Sequence, residues 1–223
     1  MMVGTVAKIC SSYPPGHTAQ NLLIEFFRAL KALPRHNVPN LSYKDDSDEP
    51  TFDVKLKLWS FGTPSVECLV QKFQREAEGL AYPFSEVETP GSEAQLRWRN
   101  LQSFISRLTA LELIDCSVAS ALPYILPSHH AYPNLEQRRT SGPQRIAGDL
   151  IAAAQWLDSD AARQWVFSQC KNVGEGDGSR QIWSVDTWNQ LKSQMSFISS
   201  DRRFEQQTRD LAQSLREKME AED

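Results

Sequence analysis

The sequence predicts an all-α fold: one single-domain bundle of seven to nine helices arranged around a central long helix. Three observations carry that expectation. Apolar residues recur mostly at helical spacing, and strand-like alternation is scarce. Leu outnumbers Val and Ile combined, which favours helix over sheet. The 12 prolines fall almost entirely where the apolar periodicity starts or stops, as helix punctuation should. A chain of 223 residues can bury one substantial core, and no linker composition divides it.

Residues 1–17 read as an irregular N-terminal arm ending in Tyr13-Pro14-Pro15-Gly16-His17, and 18–223 as the helical domain. Thr18 is the expected cap of the first helix, whose apolar face includes Leu22, Leu23, Phe26, Phe27 and Leu30 and which Pro34 stops. A polar loop over 34–51 follows. Phe52 to Phe61 fits either a strand, with Val54, Leu56 and Leu58 alternating, or a helix, with Val54, Leu58 and Phe61 on one face; helix is favoured because no neighbouring strand is evident. Thr63-Pro64-Ser65-Val66-Glu67 is a helix start, with cap, proline and acid in order. After the loop 82–91, Ser92 caps the expected central helix, running through Leu101, Phe104, Leu108 and Leu111 to Ile114. Ala119 to Ile125 is a short apolar segment broken by Pro123 and Pro127, and 128–140 is a loop. Ser141-Gly142-Pro143 opens the next helix, and Asp158 or Ser159 caps the one after it. Gly174, Gly176 and Gly178 mark a loop too short to separate domains. Ser184 then caps a helix between Trp183 and Trp188, in the pattern of a hydrophobic staple. The last helix is expected from about Asp201, with Phe204, Leu211, Leu215 and Met219 as a narrow stripe.

Composition excludes several functions. The net charge is -4, with 24 Lys+Arg against 28 Asp+Glu and no long basic run. Nucleic acid and anionic membranes need clustered cations, so neither is an expected partner. No stretch approaches the roughly 20 apolar residues of a spanning helix, and the first residues lack a basic-then-apolar leader; a cytoplasmic location is the expectation. Cys10, Cys68, Cys116 and Cys170 form no C-x-x-C pair and read as free thiols. Gly174-Glu175-Gly176-Asp177-Gly178 is neither a dinucleotide fingerprint nor a phosphate loop, no nucleophile elbow or kinase set occurs, and no cofactor is expected.

The helix Arg145-Ile146-Ala147-Gly148-Asp149-Leu150-Ile151-Ala152-Ala153-Ala154-Gln155-Trp156-Leu157 carries an Ala-Ala-Ala-Gln-Trp run. With Trp183-Ser184-Val185-Asp186-Thr187-Trp188 and a terminal helix ending near Met219, it resembles a widespread fungal family of roughly 200-residue helical proteins of unknown function. The resemblance covers about the last 80 residues. It implies a helical fold and a fungal source, with specialised metabolism as a setting, and supplies no catalytic residue. The glycine-rich loop over 172–180 and Trp183 depart from the family pattern.

Five groups of residues stand out. Asp45, Asp46 and Glu49 fit the D-D-x-x-D/E pattern that holds magnesium diphosphate, but the run lies between Pro39 and Pro50 and the partner motif is missing, so a solvated loop is favoured. His129 and His130 occupy a loop and are candidates for proton transfer, against a plain reading as exposed loop histidines; their spacing is not that of metal ligands. Asp149 lies at the edge of an apolar helix face, four residues after Arg145, either as a structural ion pair or as a pocket carboxylate walled by Trp156. Trp98, Trp156, Trp188 and Tyr124 are candidate walls of an aromatic pocket or simply core. Arg97, beside Trp98, is a candidate for anion capture, or a surface side chain whose stem covers the helix.

Two functions are consistent with these residues. One is a cofactor-free protein binding a hydrophobic small molecule in an internal pocket, and catalysing a cyclisation, isomerisation or elimination if it is an enzyme, with Asp149, Arg145, His129 and His130 as acid–base groups. The other is a non-catalytic helical module that binds another protein, or a second copy of itself as a homodimer, through an exposed apolar face.

Overall fold

The structure is a computed structural model that describes residues 2–32, 90–172 and 183–222. The acidic run 45–49, the segment 52–61, the helix start at Thr63, Cys68 and the glycine loop 174–178 lie outside the described residues. Within them the protein is all-helical, with seven α-helices: α1 Met2–Ser12, α2 Thr18–Ala32, α3 Glu93–Ala110, α4 Ser141–Leu157, α5 Asp160–Asn172, α6 Val185–Ser200 and α7 Gln206–Glu220. Two 3₁₀ turns, Ser117–Ala119 and Leu122–Ile125, join α3 to the loop before α4. The longest of these helices, α3, packs against α1, α4 and α5; α4 in turn touches α5, α7 and the second 3₁₀ turn, while α6 and α7 form a paired hairpin.

The expected irregular arm is instead a helix over Met2–Ser12. Its sequence gives little local support, since Gly4 and Thr5 are poor helix formers. Tertiary contacts supply what the sequence lacks. Val6, Ala7 and Cys10 are buried as α1 lies along α3. Its last carbonyls are satisfied from outside the helix: the Gln20 amide donates to Cys10 O (3.1 Å) and Tyr13 O (2.8 Å), and the Asn100 amide donates to Ser11 O (3.0 Å).

α2 begins as expected, but its cap is His17 rather than Thr18: the imidazole Nδ1 accepts from the Ala19 amide at 3.1 Å. Ile24, Phe27 and Leu30 turn inward, and Phe27 meets Phe104 of α3 at 6.3 Å. Ser92 caps α3, its hydroxyl accepting from the Gln95 amide. That helix stops at Ala110, short of the expected Ile114. Glu112 takes a left-handed φ of 53°, the Leu113 amide reaches back to Leu108 O (2.9 Å) and the Glu112 amide to Thr109 O (2.9 Å). This is a Schellman ending, and it folds Leu113 and Ile114 under the helix, where both are buried.

α4 starts at Ser141 with Pro143 in its first turn, as expected. A side chain at Gly142 would press its Cβ to 3.0 Å from Leu135, so the loop before α4 closes tightly over that turn. Ser184 caps α6 by accepting from the Thr187 amide, and Trp183 and Trp188 on either side are both buried. α7 begins at Gln206 rather than Asp201, because Asp201 accepts from the Arg203 amide at 2.8 Å and holds a turn ahead of the helix. Ala212, Leu215 and Met219 are its buried stripe. Cys10, Cys116 and Cys170 are free and buried, and burial pushes the Cys170 thiol up to about 11.

Candidate functional site

Helix α4 separates two regions. Arg145 and Asp149 occupy one face and are both buried, with Arg145 Nε donating to Asp149 Oδ2 at 2.9 Å. On the same helix, Pro143, Ala147 and Ile151 recur at i, i+4 spacing on a different face, because two residues of offset rotate a side chain by about 200°. These three line a half-open cleft of about 640 Å³. Gln144 of α4, Arg139 and Thr140 ahead of it, Pro90, Gly91 and Gln95 at the start of α3, and side chains between Arg203 and Leu211 supply the other walls.

The cleft has an apolar floor and a polar rim. Ala147, Ile151, Phe204 and Leu211 supply the floor; Arg139, Thr140, Gln144, Glu205, Gln207 and Thr208 supply the rim. Arg203 also reaches the cleft, but its charge is already engaged. Its guanidinium donates to Asp201 Oδ2 at 2.7 Å and to Glu136 Oε1 at 3.3 Å, and it holds the Asp201 carboxyl below the usual carboxylate range. Arg139 and Glu205 make no side-chain hydrogen bond or ion pair among the described residues. A second hollow, lined by Pro127, Asp186, Asn189, Gln190 and Ser193, is more open and has no large apolar side chain.

The residues singled out from sequence divide into a row of rings, the buried Arg145–Asp149 pair, two core tryptophans and a surface arginine. Trp98, Tyr124, His129 and His130 form a continuous row: Trp98 meets Tyr124 edge-on at 5.8 Å, Tyr124 meets His129 at 4.5 Å, and His129 meets His130 at 4.3 Å. The His129 Nδ1 accepts from the Ala131 amide at 3.2 Å, which leaves Nε2 to carry the proton when the ring is neutral. Burial holds His129 below the ordinary imidazole value, and the charges of His130 and Arg145 lower it further. Arg145 therefore lies close enough to this row to act on it electrically, yet neither the Arg145–Asp149 pair nor the row lines the cleft.

Trp156 lines neither hollow. It is fully buried, and its indole N–H donates to Gln102 Oε1 at 2.6 Å. Gln102, overlooked in the sequence because it sits on an apolar helix face, also accepts from the Ala121 amide and donates to Ala119 O. It ties α3, the first 3₁₀ turn and α4 together. Trp188 is likewise core, packed on Phe167 at 5.0 Å. Arg97 is on the surface, paired with Glu93 one turn earlier at 2.8 Å, and does not reach either hollow. The cleft residues Arg139, Ile151, Glu205 and Leu211 escaped sequence reading because no motif joins them; only packing of α4 against α7 brings them together.

Among the described residues, no group of three His, Cys, Asp or Glu side chains is placed to hold a metal ion, and no helix is long and apolar enough to cross a membrane. A family model described as "Protein of unknown function (DUF3632)" matches residues 2–209, far more than the C-terminal stretch that carried the sequence resemblance. Neither the comparison with curated proteins nor that with solved structures returned a match.

Proposed function

The chain belongs to this family of unknown function, matched from residue 2 to residue 209, and on that premise we propose that it binds a small, largely apolar molecule in the cleft between α4 and α7. The observation that supports this most is the cleft itself. At about 640 Å³ it falls in the size range of ligand sites, and it combines an apolar floor with a few polar groups, as such sites do. Trp156 and Trp188 are fully buried and line neither hollow, which supports placing the ligand on the outer face of α4.

Within this reading, catalysis of a cyclisation, isomerisation or elimination would need an acid–base group beside the bound molecule. Asp149, His129 and His130 are not at the cleft; among the described residues, Glu205 is the carboxylate that lines it. Binding is therefore the function the geometry supports best. A cytoplasmic setting, a fungal source and a role in specialised metabolism belong to the proposal on the strength of composition and resemblance alone.

Native mass spectrometry after incubation with an apolar metabolite extract tests the reading. Ala147→Trp, at a half-buried position on the cleft floor, fills the cleft and abolishes the retained mass. Arg97→Ala, on the surface away from the cleft, leaves it unchanged. Retention that survives Ala147→Trp would falsify the assignment.

A further inference from the structure

The charges around the cleft say more than its size. Arg203 is neutralised by Asp201 and Glu136. Arg139 and Glu205 are opposite in sign, line the same cleft, and form no ion pair with each other. A simple anion would gain at Arg139 and be repelled at Glu205; a simple cation would meet the reverse. Neither is a good complement to this rim. A molecule with a separated carboxylate and ammonium satisfies both, while its body covers Ala147, Ile151 and Leu211.

We propose, resting on the cleft reading above, that the ligand class is an apolar zwitterion, with its carboxylate at Arg139 and its ammonium at Glu205. The guanidinium presents paired N–H donors that suit a carboxylate, and the Glu205 carboxylate accepts from an ammonium. Gln144, Gln207 and Thr208, which also line the cleft, offer donors and acceptors to a peptide-like group between the two ends.

One body in four charge states provides the test. Leu-Phe is zwitterionic at neutral pH; N-acetyl-Leu-Phe keeps only the carboxylate; Leu-Phe amide keeps only the ammonium; N-acetyl-Leu-Phe amide is neutral. Titration calorimetry on the full chain should show Leu-Phe binding about two- to fivefold tighter than each singly blocked form, the scale expected of one solvent-exposed ion pair. Arg139→Gln should erase the advantage of Leu-Phe over its amide, and Glu205→Gln its advantage over the N-acetyl form. Both residues are exposed, so an unchanged melting temperature confirms that only the rim has altered. Equal binding of all four forms, abolished by Ala147→Trp, overturns the zwitterion assignment and leaves the cleft reading standing. Binding that survives Ala147→Trp overturns both. Failure of all four to bind overturns the ligand class, while the metabolite retention above continues to judge the cleft.

Discussion

His129 sits partly buried between the rings of Tyr124 and His130, and charging it would place a cation beside Arg145. That arrangement holds its folded-state pKa below the ordinary imidazole value of about 6.5. In the window between the two values the unfolded chain binds the proton and the folded chain does not, so the unfolded state gains there. The contribution to stability is present above about pH 6.5 and is lost as the pH falls through the lower, folded value. Denaturant midpoints measured from pH 7.5 down to pH 5 should fall more steeply for the wild type than for His129→Gln, and parallel curves would refute the effect. The Arg145–Asp149 pair behaves differently. Both partners are nearly sealed from solvent, so the pair fits a packing role between helices: a buried charge left without its partner costs several kcal/mol. Its position at the edge of an apolar stripe was legible in the sequence. Which side of the helix opens onto a cleft was not, because that depends on where α7 lies.

At the scale of elements, local signals mark most of the helix starts correctly. Ser92, Ser184 and Pro143 each stand where a helix begins. Two misses rest on devices that carry no hydrophobic period. α1 is held by side-chain amides from the distant Gln20 and Asn100, and the late start of α7 reflects a local turn in which Asp201 accepts from the Arg203 amide. The end of α3 is instructive for the same reason. Its Schellman position is normally glycine, yet here Glu112 holds φ 53°, a conformation costing a side-chain-bearing residue about 1–2 kcal/mol. Glycine there removes that strain and gives back part of the gain through greater freedom of the unfolded chain. Glu112→Gly should therefore stabilise the protein by about 0.5–1 kcal/mol, read as a higher denaturant midpoint at unchanged slope. The Lys31 ammonium donates to the Glu112 carbonyl at 2.5 Å, a backbone contact the substitution keeps.

For the molecule as a whole, the closing helix sets the limits of the fold. The family match ends at residue 209, partway along α7, yet Ala212, Leu215 and Met219 beyond that point are fully buried. They seal the hairpin with α6 and the contact with α4. The end of α7 is also pinned electrostatically. Arg163 of α5 is buried and donates to Glu222 at 2.9 Å, to Asp160 at 2.8 Å and to Leu157 O at 3.1 Å, and Lys218 reaches Asp158 at 2.5 Å. Losing buried Leu and Met side chains costs about 2–5 kcal/mol each, and Arg163 would lose one of its two carboxylate partners as well. Against a typical stability of about 5–15 kcal/mol, that sum is decisive. A chain ending at Arg209 should show no cooperative thermal transition, and it would also lose Leu211 from the cleft. Glu222→Gln alone should cost about 1–3 kcal/mol, because the Asp160 and Leu157 contacts of Arg163 persist. A shortened chain that melts cooperatively near the wild-type temperature would show that α7 beyond residue 209 is dispensable, and that the core lies wholly within α1 to α6.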